Sequence, residues 1–169
     1  GRIYCSEEMK EWFDEFLTPP VNPDLILDGD LPKKDWFGDT RQKRISEQMG
    51  GIHTVVPGRP IGLHPQDVAE LARFNIHLHF YGEFTQGQWE GWIEKTKRMA
   101  PEHLHIHPNV DQDKWVEVFS QYDAGWLHFF ESGNHGNITK ANWDDLNIPA
   151  RVATLAVAGL PMIQADNDG

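Results

Sequence analysis

From residue 52 onward, short apolar runs alternate with segments whose apolar residues recur every three or four positions. The runs predict strands near residues 52–57, 75–81, 103–107, 124–130 and 160–164. The segments between them predict helices. Because parallel strands are joined by crossover helices, this alternation predicts a parallel sheet with helices on both faces. The predicted fold class is α/β: a doubly wound, Rossmann-like sheet of about five main strands.

The first fifty residues follow a different pattern. A short strand is predicted in "RIYCS", followed by a helix in "SEEMKEWFDEFL". Ser6 can cap this helix, and Met9, Trp12, Phe13 and Phe16 would form its apolar face. "TPPVNP" ends the helix, and "LILDGD" is a short apolar run closed by a turn signal. Residues 31–50 are polar and predict only a short helix around "TRQKRISEQM".

Charge and composition exclude several classes of protein. The net charge is -11, which argues against binding nucleic acid, so an anionic ligand would need a local basic pocket. The single cysteine, Cys5, rules out an internal disulfide and is typical of a reducing, cytoplasmic setting. The chain begins with Gly rather than Met, and we expect a piece of a longer protein. Peripheral contact with a membrane would have to come from parts outside this chain.

The loop predicted after the strand at 52–57 is a candidate anion site. It contains Gly58, Arg59, Gly62 and His64 and leads into a helix. Ligands of doubly wound sheets lie at the carboxyl ends of the strands, where helix starts favour anions. Arg59 could bind two phosphate oxygens with its forked guanidinium. The alternative is a tight turn whose arginine faces solvent.

A second candidate lies in "NIPARVATLAVAGLPMI", residues 147–163. A helix is predicted at 148–158, with Asn147 as its cap and Gly159 at its end. Arg151 would occupy the first turn, where the helix dipole already supplies positive charge and a cation is mildly unfavourable. An arginine there indicates that an anion binds nearby. The alternative is an ordinary surface arginine.

The loop "ESGNHGN" follows the strand predicted at 124–130. It offers Glu131, Asn134 and His135 at the ligand end of the sheet, and loops in this position often carry function. An ordinary surface loop explains the sequence equally well.

Two predicted strands are rich in histidine. His77 and His79 alternate on one strand, and His103, His105 and His107 on another, so each set shares a face. Zinc needs a complete tetrahedral ligand set, and no cysteine or paired carboxylate is spaced to complete one. We therefore expect half-buried histidines that are hydrogen-bonded to neighbours, without a metal.

Several of these motifs together resemble a known family. "HTVVPGRPIGLHP" resembles the strand and Gly-Arg motif of GT-B-fold glycosyltransferases, with His64 where that family has lysine. "NIPARVATLAVAGLPMI" is similar to the family's "PxKxxEYLAAGLPVI", with Arg151 in place of lysine and Thr154 in place of glutamate. "LHIHPNVDQDKWVEVFSQYDAGWLHFF" resembles the strand, helix and strand that lie between these two motifs. Residues 52–169 thus resemble the donor-binding C-terminal domain of such an enzyme.

The resemblance extends upstream and suggests two domains. "RIYCSEEMKEWF" resembles the last strand and helix of the family's N-terminal domain, and "LILDGDLP" resembles the hinge that follows. The expected division is 1–30 for the end of the N-terminal domain with the hinge, and 31–169 for a donor-binding domain that is itself truncated.

The resemblance implies an enzyme that transfers a sugar from a nucleotide-diphosphate donor, such as a UDP- or GDP-sugar, without a metal or other cofactor. It assigns Arg59 and Arg151 to stabilisation of the leaving diphosphate. The acceptor is not identified. Two alternatives are a non-catalytic nucleotide- or sugar-binding module and a nucleotide-sugar epimerase of the same fold. The residues expected to bind the donor are Gly58, His64, Glu131, Asn134, His135, Asn147 and Thr154.

Overall fold

The computed structural model describes residues 1–27, 32–38, 41–83, 87–146 and 149–166. The strands are β1 (Ile3–Tyr4), β2 (Leu25–Ile26), β3 (Ile52–Pro57), β4 (Ile76–Tyr81), β5 (Leu104–His107), β6 (Ala124–Trp126) and β7 (Met162–Ile163). The α-helices are α1 (Glu7–Phe16), α2 (Ile45–Met49), α3 (Pro65–Ala72), α4 (Gln88–Met99), α5 (Trp115–Phe119), α6 (Trp143–Leu146) and α7 (Arg151–Ala158). None of the helices in these ranges is long and apolar enough to cross a membrane.

The chain forms two compact units. The first consists of Gly1–Leu31, Phe130–Ile148 and Ala165–Gly169, and the second of Pro32–Phe129 and Pro149–Gln164. The boundary expected near residue 30 stays a prediction.

The first unit is built around α1 and the parallel pair β1 and β2. Ser6 caps α1 as predicted, because its Oγ accepts a hydrogen bond from the backbone N–H of Met9 at 3.1 Å. Tyr4, Met9 and Leu146 form the small core of this unit. The indole N–H of Trp12 donates to the carbonyl of Ala141 at 3.0 Å and ties α1 to the segment before α6.

The second unit contains a five-stranded, all-parallel sheet in the order β5-β4-β3-β6-β7. The predicted fold class is therefore confirmed as a Rossmann-like α/β sheet. Chain order reverses at β3, so the sheet extends through β4 and β5 on one side and through β6 and β7 on the other. This switch point brings the loop after β3 and the segment after β6 to the same edge of the sheet.

Side chains that alternate along the strands pack into two cores, one on each face of the sheet. Val56, Leu78 and Phe80 face α3 and α4, where Val68 and Trp92 pack against them. On the other face Val55 and Tyr81 lie in a second core. It is completed by residues of α5, of α7 and of the turns that follow them: Phe119, Tyr122, Leu155, Ala158 and Leu160. This two-sided burial is what strands of a parallel sheet require.

Several predicted elements differ in extent from the structure, among them β6 and the last helix. β6 ends at Trp126, although the prediction continued to residue 130, because the next residues leave the ladder with β3. The backbone N–H of Phe129 instead donates to the carbonyl of Ile61 in the loop after β3. The last helix begins at Arg151 rather than at 148. Asn147, its expected cap, lies outside the described residues.

Candidate functional site

The loop between β3 and α3 begins with two turns that glycine makes possible. Gly58 has φ +97°, and its N–H donates to the carbonyl of Tyr81 at the end of β4. Gly62 has φ +79°, and a Cβ atom there would lie 1.6 Å from the carbonyl oxygen of Phe129. Only a residue without a side chain lets this loop approach the segment after β6 so closely.

The segment after β6 is held between this loop and β7. The N–H of Leu127 donates to the carbonyl of Ile163 at 2.8 Å, and that of Phe129 donates to Ile61 at 3.1 Å. His128 lies between these two anchored residues. The backbone around His128 is thereby fixed at the carboxyl edge of the sheet.

Arg151 joins the two segments from the first turn of α7. Its side chain is buried, with 6% exposed. One guanidinium nitrogen, Nη1, donates to the carbonyl of Trp126 at 3.3 Å, and Nη2 donates to the carbonyl of Arg59. A Cβ atom on Gly58 would lie 3.7 Å from Nη2, so the guanidinium lies directly beside the glycine turn. The interpretation of Arg151 as a surface arginine is therefore wrong.

Within the parts of the chain that the structure describes, no carboxylate balances the charge of Arg151. None of the ion pairs formed within the described residues involves it. Burial, and then repulsion from Arg59, lower the pKa of Arg151 to about 10, so it stays charged at neutral pH. A buried cation without a counter-ion is costly, and its two carbonyl partners supply only partial charges.

His128 is a third basic group at this edge. Burial, followed by the charges of Arg151 and Arg59, lowers the pKa of His128 to about 4. The sequence prediction missed His128 because the strand predicted at 124–130 placed it inside the sheet. Its position after an apolar strand was the only sequence signal available. We name Arg59, His128 and Arg151 together the basic cluster.

The structure brings some of the predicted site residues together. Gly58, the backbone of Arg59 and the side chain of Arg151 meet at the carboxyl ends of β3 and β6, and their role in binding stays a prediction. His64 is exposed at the start of α3, where its backbone N–H donates to the carboxylate of Asp67 at 2.7 Å. Thr154 is buried along α7, with 6% exposed.

The remaining predicted residues do not belong to the second unit. Asn134 is buried in the first unit, and its Oδ1 accepts from the N–H of Gly136 at 2.7 Å. Glu131 and His135 are exposed in the same loop, and His135 has φ +51°. Their participation in a shared site stays a prediction, and Asn147 lies outside the described residues.

A cavity lies where β4 and β5 end against α4. This cavity of about 600 Å³ is lined by Glu83, Glu90 and Glu94, with Lys97 and His107 as its basic residues. Three carboxylates would repel a diphosphate, so an anionic ligand is better matched by the basic cluster.

The histidines of β3, β4 and β5 face one another on the side of the sheet that carries Val55. They are half-buried or buried and hydrogen-bonded to neighbouring rings, as expected. In the parts of the chain that the structure describes, no group of three or more histidine, cysteine or acidic side chains is arranged to hold a metal ion.

Comparison with known proteins gives no relative. No protein-family model, curated protein or solved structure matches the chain. The fold and the basic cluster define an α/β protein with a Rossmann-like sheet and a cationic edge.

Proposed function

We propose that the second unit binds the diphosphate of a nucleotide-diphosphate sugar at the basic cluster. The chain would then be mainly the donor-binding half of a metal-independent glycosyltransferase. One observation carries the proposal: Arg151 is a buried cation without a carboxylate partner among the described residues. It lies at the switch point of a parallel sheet, where such folds bind their ligands. A bound anion would supply the missing counter-charge.

The site matches a diphosphate in charge and in polarity. Arg59 is exposed and can turn toward a ligand, while Arg151 is fixed by two carbonyls. In sugar transfer the bond between the anomeric carbon and the diphosphate breaks, and its electron pair leaves with the diphosphate. Preorganised arginines stabilise that growing negative charge without needing a metal.

A non-catalytic binding module is the second candidate. Thr154 occupies the position at which the glycosyltransferase motif has a ribose-binding glutamate, and it is buried. His64 replaces a lysine and is exposed, so it supplies less fixed charge at neutral pH. Both differences weaken the expected donor contacts while leaving the basic cluster intact.

Thermal unfolding in the presence of nucleosides, nucleoside diphosphates and their sugars tests the proposal. A ligand at 100 times its Kd stabilises the folded chain by about 2.7 kcal/mol. We expect diphosphates to raise Tm and the matching nucleosides to leave it unchanged. Arg151→Lys keeps the charge but loses the forked geometry, so it should retain part of the effect.

Arg73→Lys is the matched control, because Arg73 is exposed and pairs with Glu70 on α3. It should respond to diphosphates like the parent chain. Equal stabilisation by nucleosides and nucleoside diphosphates would exclude the basic cluster as the binding site. Stabilisation by diphosphates that is indifferent to the attached sugar would favour the binding module over the transferase.

A further inference from the structure

Three histidines form a continuous hydrogen-bonded chain across β3, β4 and β5. Nε2 of His53 bonds the carbonyl of Gly50 at 3.1 Å. Nδ1 of His53 lies 2.9 Å from Nε2 of His79, and Nδ1 of His79 lies 3.0 Å from Nε2 of His107. We call this the long chain. It connects β3, the central strand of the sheet, to the edge strand β5.

Two further histidines form a short chain beside it. Nε2 of His77 lies 3.2 Å from Oδ1 of Asn75, and Nδ1 of His77 lies 3.2 Å from Nε2 of His105. The rings of the two chains also stack, with centroids 4.2 Å apart for His79 and His105. We call the two chains together the imidazole array.

The oxygen at one end of each chain fixes the protons of every ring. A carbonyl oxygen only accepts, so Nε2 of His53 must donate to Gly50. The Nδ1 of neutral His53 is then an acceptor, which makes Nε2 of His79 a donor. The same step makes Nε2 of His107 a donor, so all three neutral rings are Nε2–H tautomers. In the short chain, the same rule applies to His77 and His105.

This geometry limits the number of protons that the array can hold. An imidazolium ring has two donors and no acceptor. One extra proton fits in a chain if the rings beyond it change tautomer. A second extra proton in the same chain would either bring two N–H groups face to face or require a ring that accepts hydrogen bonds at both nitrogens. Each chain therefore holds at most one extra proton, and the folded array holds at most two on five rings.

The groups around the array do not relieve this limit, and these include the carboxylates of Glu83, Glu90 and Glu94 and the ammonium of Lys97, which line the same cavity as His107. Tyr122 packs its ring against His79 with centroids 4.8 Å apart, and its hydroxyl bonds that of Tyr81 at 2.7 Å. The carboxylate of Asp123 accepts from the backbone N–H of His53 and from Ser46, and Arg44 lies 3.7 Å away.

The remaining neighbours also leave the number of protons that the array can hold unchanged. Glu102 acts on His77 through its backbone. The ring of His103 stacks on His77 with centroids 4.4 Å apart and belongs to neither chain. Burial and the neighbouring rings lower the pKa of His79 to about 2 and that of His105 to about 4, in the direction that the proton count requires.

We propose that the imidazole array acts as a pH-dependent latch. Its hydrogen bonds hold the edge strand β5 on β4, and β5 is released when the pH falls below 7. Both chains cross from β4 to β5, through His107 in one and His105 in the other. β5 has β4 as its only partner in the described sheet. Release of β5 alone therefore interrupts both chains.

Release raises the proton capacity from two to four. His107, His105 and His77 can then each take a proton, while the linked pair His53 and His79 still holds one. Free imidazoles have a pKa near 6.5. For each additional proton that the open form takes up, the equilibrium constant for opening rises by up to tenfold per pH unit below that pKa.

Hydrogen–deuterium exchange of the β5 amides tests the latch, after correction for the intrinsic exchange rate. Between about pH 6 and pH 5, most carboxylates remain ionised while free imidazoles become charged. We expect the opening constant of β5 to rise by roughly 50-fold or more over this unit of pH. Amides of β3 should remain protected, because their exposure requires the centre of the sheet to open.

Substitutions on β5 itself separate the latch from a general acid effect. His105→Gln and His107→Gln each remove one coupled proton, so each should lower the rise by a factor of roughly ten. The double variant should lower it by both factors. His103→Gln is the matched control, because His103 directly precedes β5 and belongs to neither chain, and this variant should keep the parental response.

An unchanged pH response in the two single variants would overturn the proposal, and so would a pH-independent opening constant in the parent chain. The single variants decide the matter if the double variant does not fold. Because the readout is a slope with pH, a merely structural role of these rings would lower protection without changing that slope.

Discussion

The guanidinium of Arg151 donates a hydrogen bond to the backbone carbonyl of Arg59, 92 positions earlier in the chain. The two arginines therefore contribute differently. Arg151 uses its side chain to hold the loop after β3, whereas Arg59 offers its backbone to that contact and leaves its own side chain exposed. Substitution of Arg59 should therefore affect ligand binding without affecting the structure, whereas substitution of Arg151 should affect both.

Replacement of Arg59 by alanine should weaken anion binding without unfolding the chain. The carbonyl that Arg151 needs remains, so we expect the free energy of unfolding to change by about 0.5 kcal/mol or less. Loss of a charge-assisted hydrogen bond, worth about 1.5–3 kcal/mol, should lower nucleoside diphosphate affinity roughly 10- to 150-fold. Calorimetric titration and urea unfolding measure the two quantities. An unchanged affinity would remove Arg59 from the site.

Gly62→Ala should be strongly destabilising, because its Cβ would lie 1.6 Å from the carbonyl oxygen of Phe129. Gly50 is the matched control: its φ is +75°, close to the +79° of Gly62, but a Cβ there meets nothing within 4 Å. Gly50→Ala should cost about 1–3 kcal/mol, because its φ of 75° and ψ of 179° lie in a backbone region that is essentially restricted to glycine. We expect Gly62→Ala to cost at least about 2 kcal/mol more, measured by urea unfolding. Similar losses of stability in the two variants would mean that the loop after β3 and the segment after β6 separate easily.

The close packing of β6 against α7 can be tested with a double-mutant cycle. A Cβ on Gly125 would lie 2.2 Å from Cδ2 of Leu155, which is completely buried. Gly125→Ala and Leu155→Ala should each destabilise the chain, and the double variant should be more stable than the sum of the two predicts. We expect a coupling of about 0.5–3 kcal/mol. Additive effects would show that the overlap is relieved by movement elsewhere.

The histidine-bearing strands should hold no stoichiometric zinc in the purified chain. Their ring nitrogens already bond one another, and in the described ranges no group of three or more ligands is arranged for a metal. Elemental analysis after dialysis provides the measurement. About one zinc per chain, lost on His105→Gln, would contradict this prediction.

The sheet could be predicted from the sequence because its strands are short apolar runs between helices with clear periodicity. β3 matches its predicted bounds of 52–57, and β4 begins one residue after its predicted start. β6 was extended too far because "LHFF" is as apolar as a strand, and only the bond from Phe129 to Ile61 shows that the chain leaves the ladder. Periodicity reports which face is apolar but carries no information on where pairing stops.

The candidate site could be predicted only in part. The unfavourable position of Arg151 in the helix dipole was visible in the sequence, but its burial depends on Trp126 and Arg59, which are distant in the chain. The alternation of histidines predicted a shared face. Their hydrogen-bonded chains run diagonally between strands, and such contacts follow from the register, which the sequence pattern does not specify.

His128 should gain a proton when an anion binds to the basic cluster. Its pKa of about 4 reflects burial first and then repulsion from Arg151 and Arg59, so the ring is neutral at pH 7. A bound dianion would offset the arginine charges and raise this pKa. The unfolded chain binds a proton at His128 below about pH 6.5, whereas the folded chain does so only near pH 4. Stability is therefore lost as the pH falls through that window, and an anion that raises the folded pKa reduces the loss.

Sulfate is the appropriate probe, because its own charge is constant from pH 5 to pH 8. We expect saturating sulfate to raise Tm more at pH 5.5 than at pH 7.5, and His128→Gln to abolish the difference while keeping the effect at pH 7.5. His135→Gln, which replaces an exposed histidine of the first unit, is the control and should behave like the parent chain. An equal sulfate effect at both pH values in the parent chain would mean that His128 does not sense the anion, whereas the absence of any sulfate effect would count against the basic cluster as an anion site.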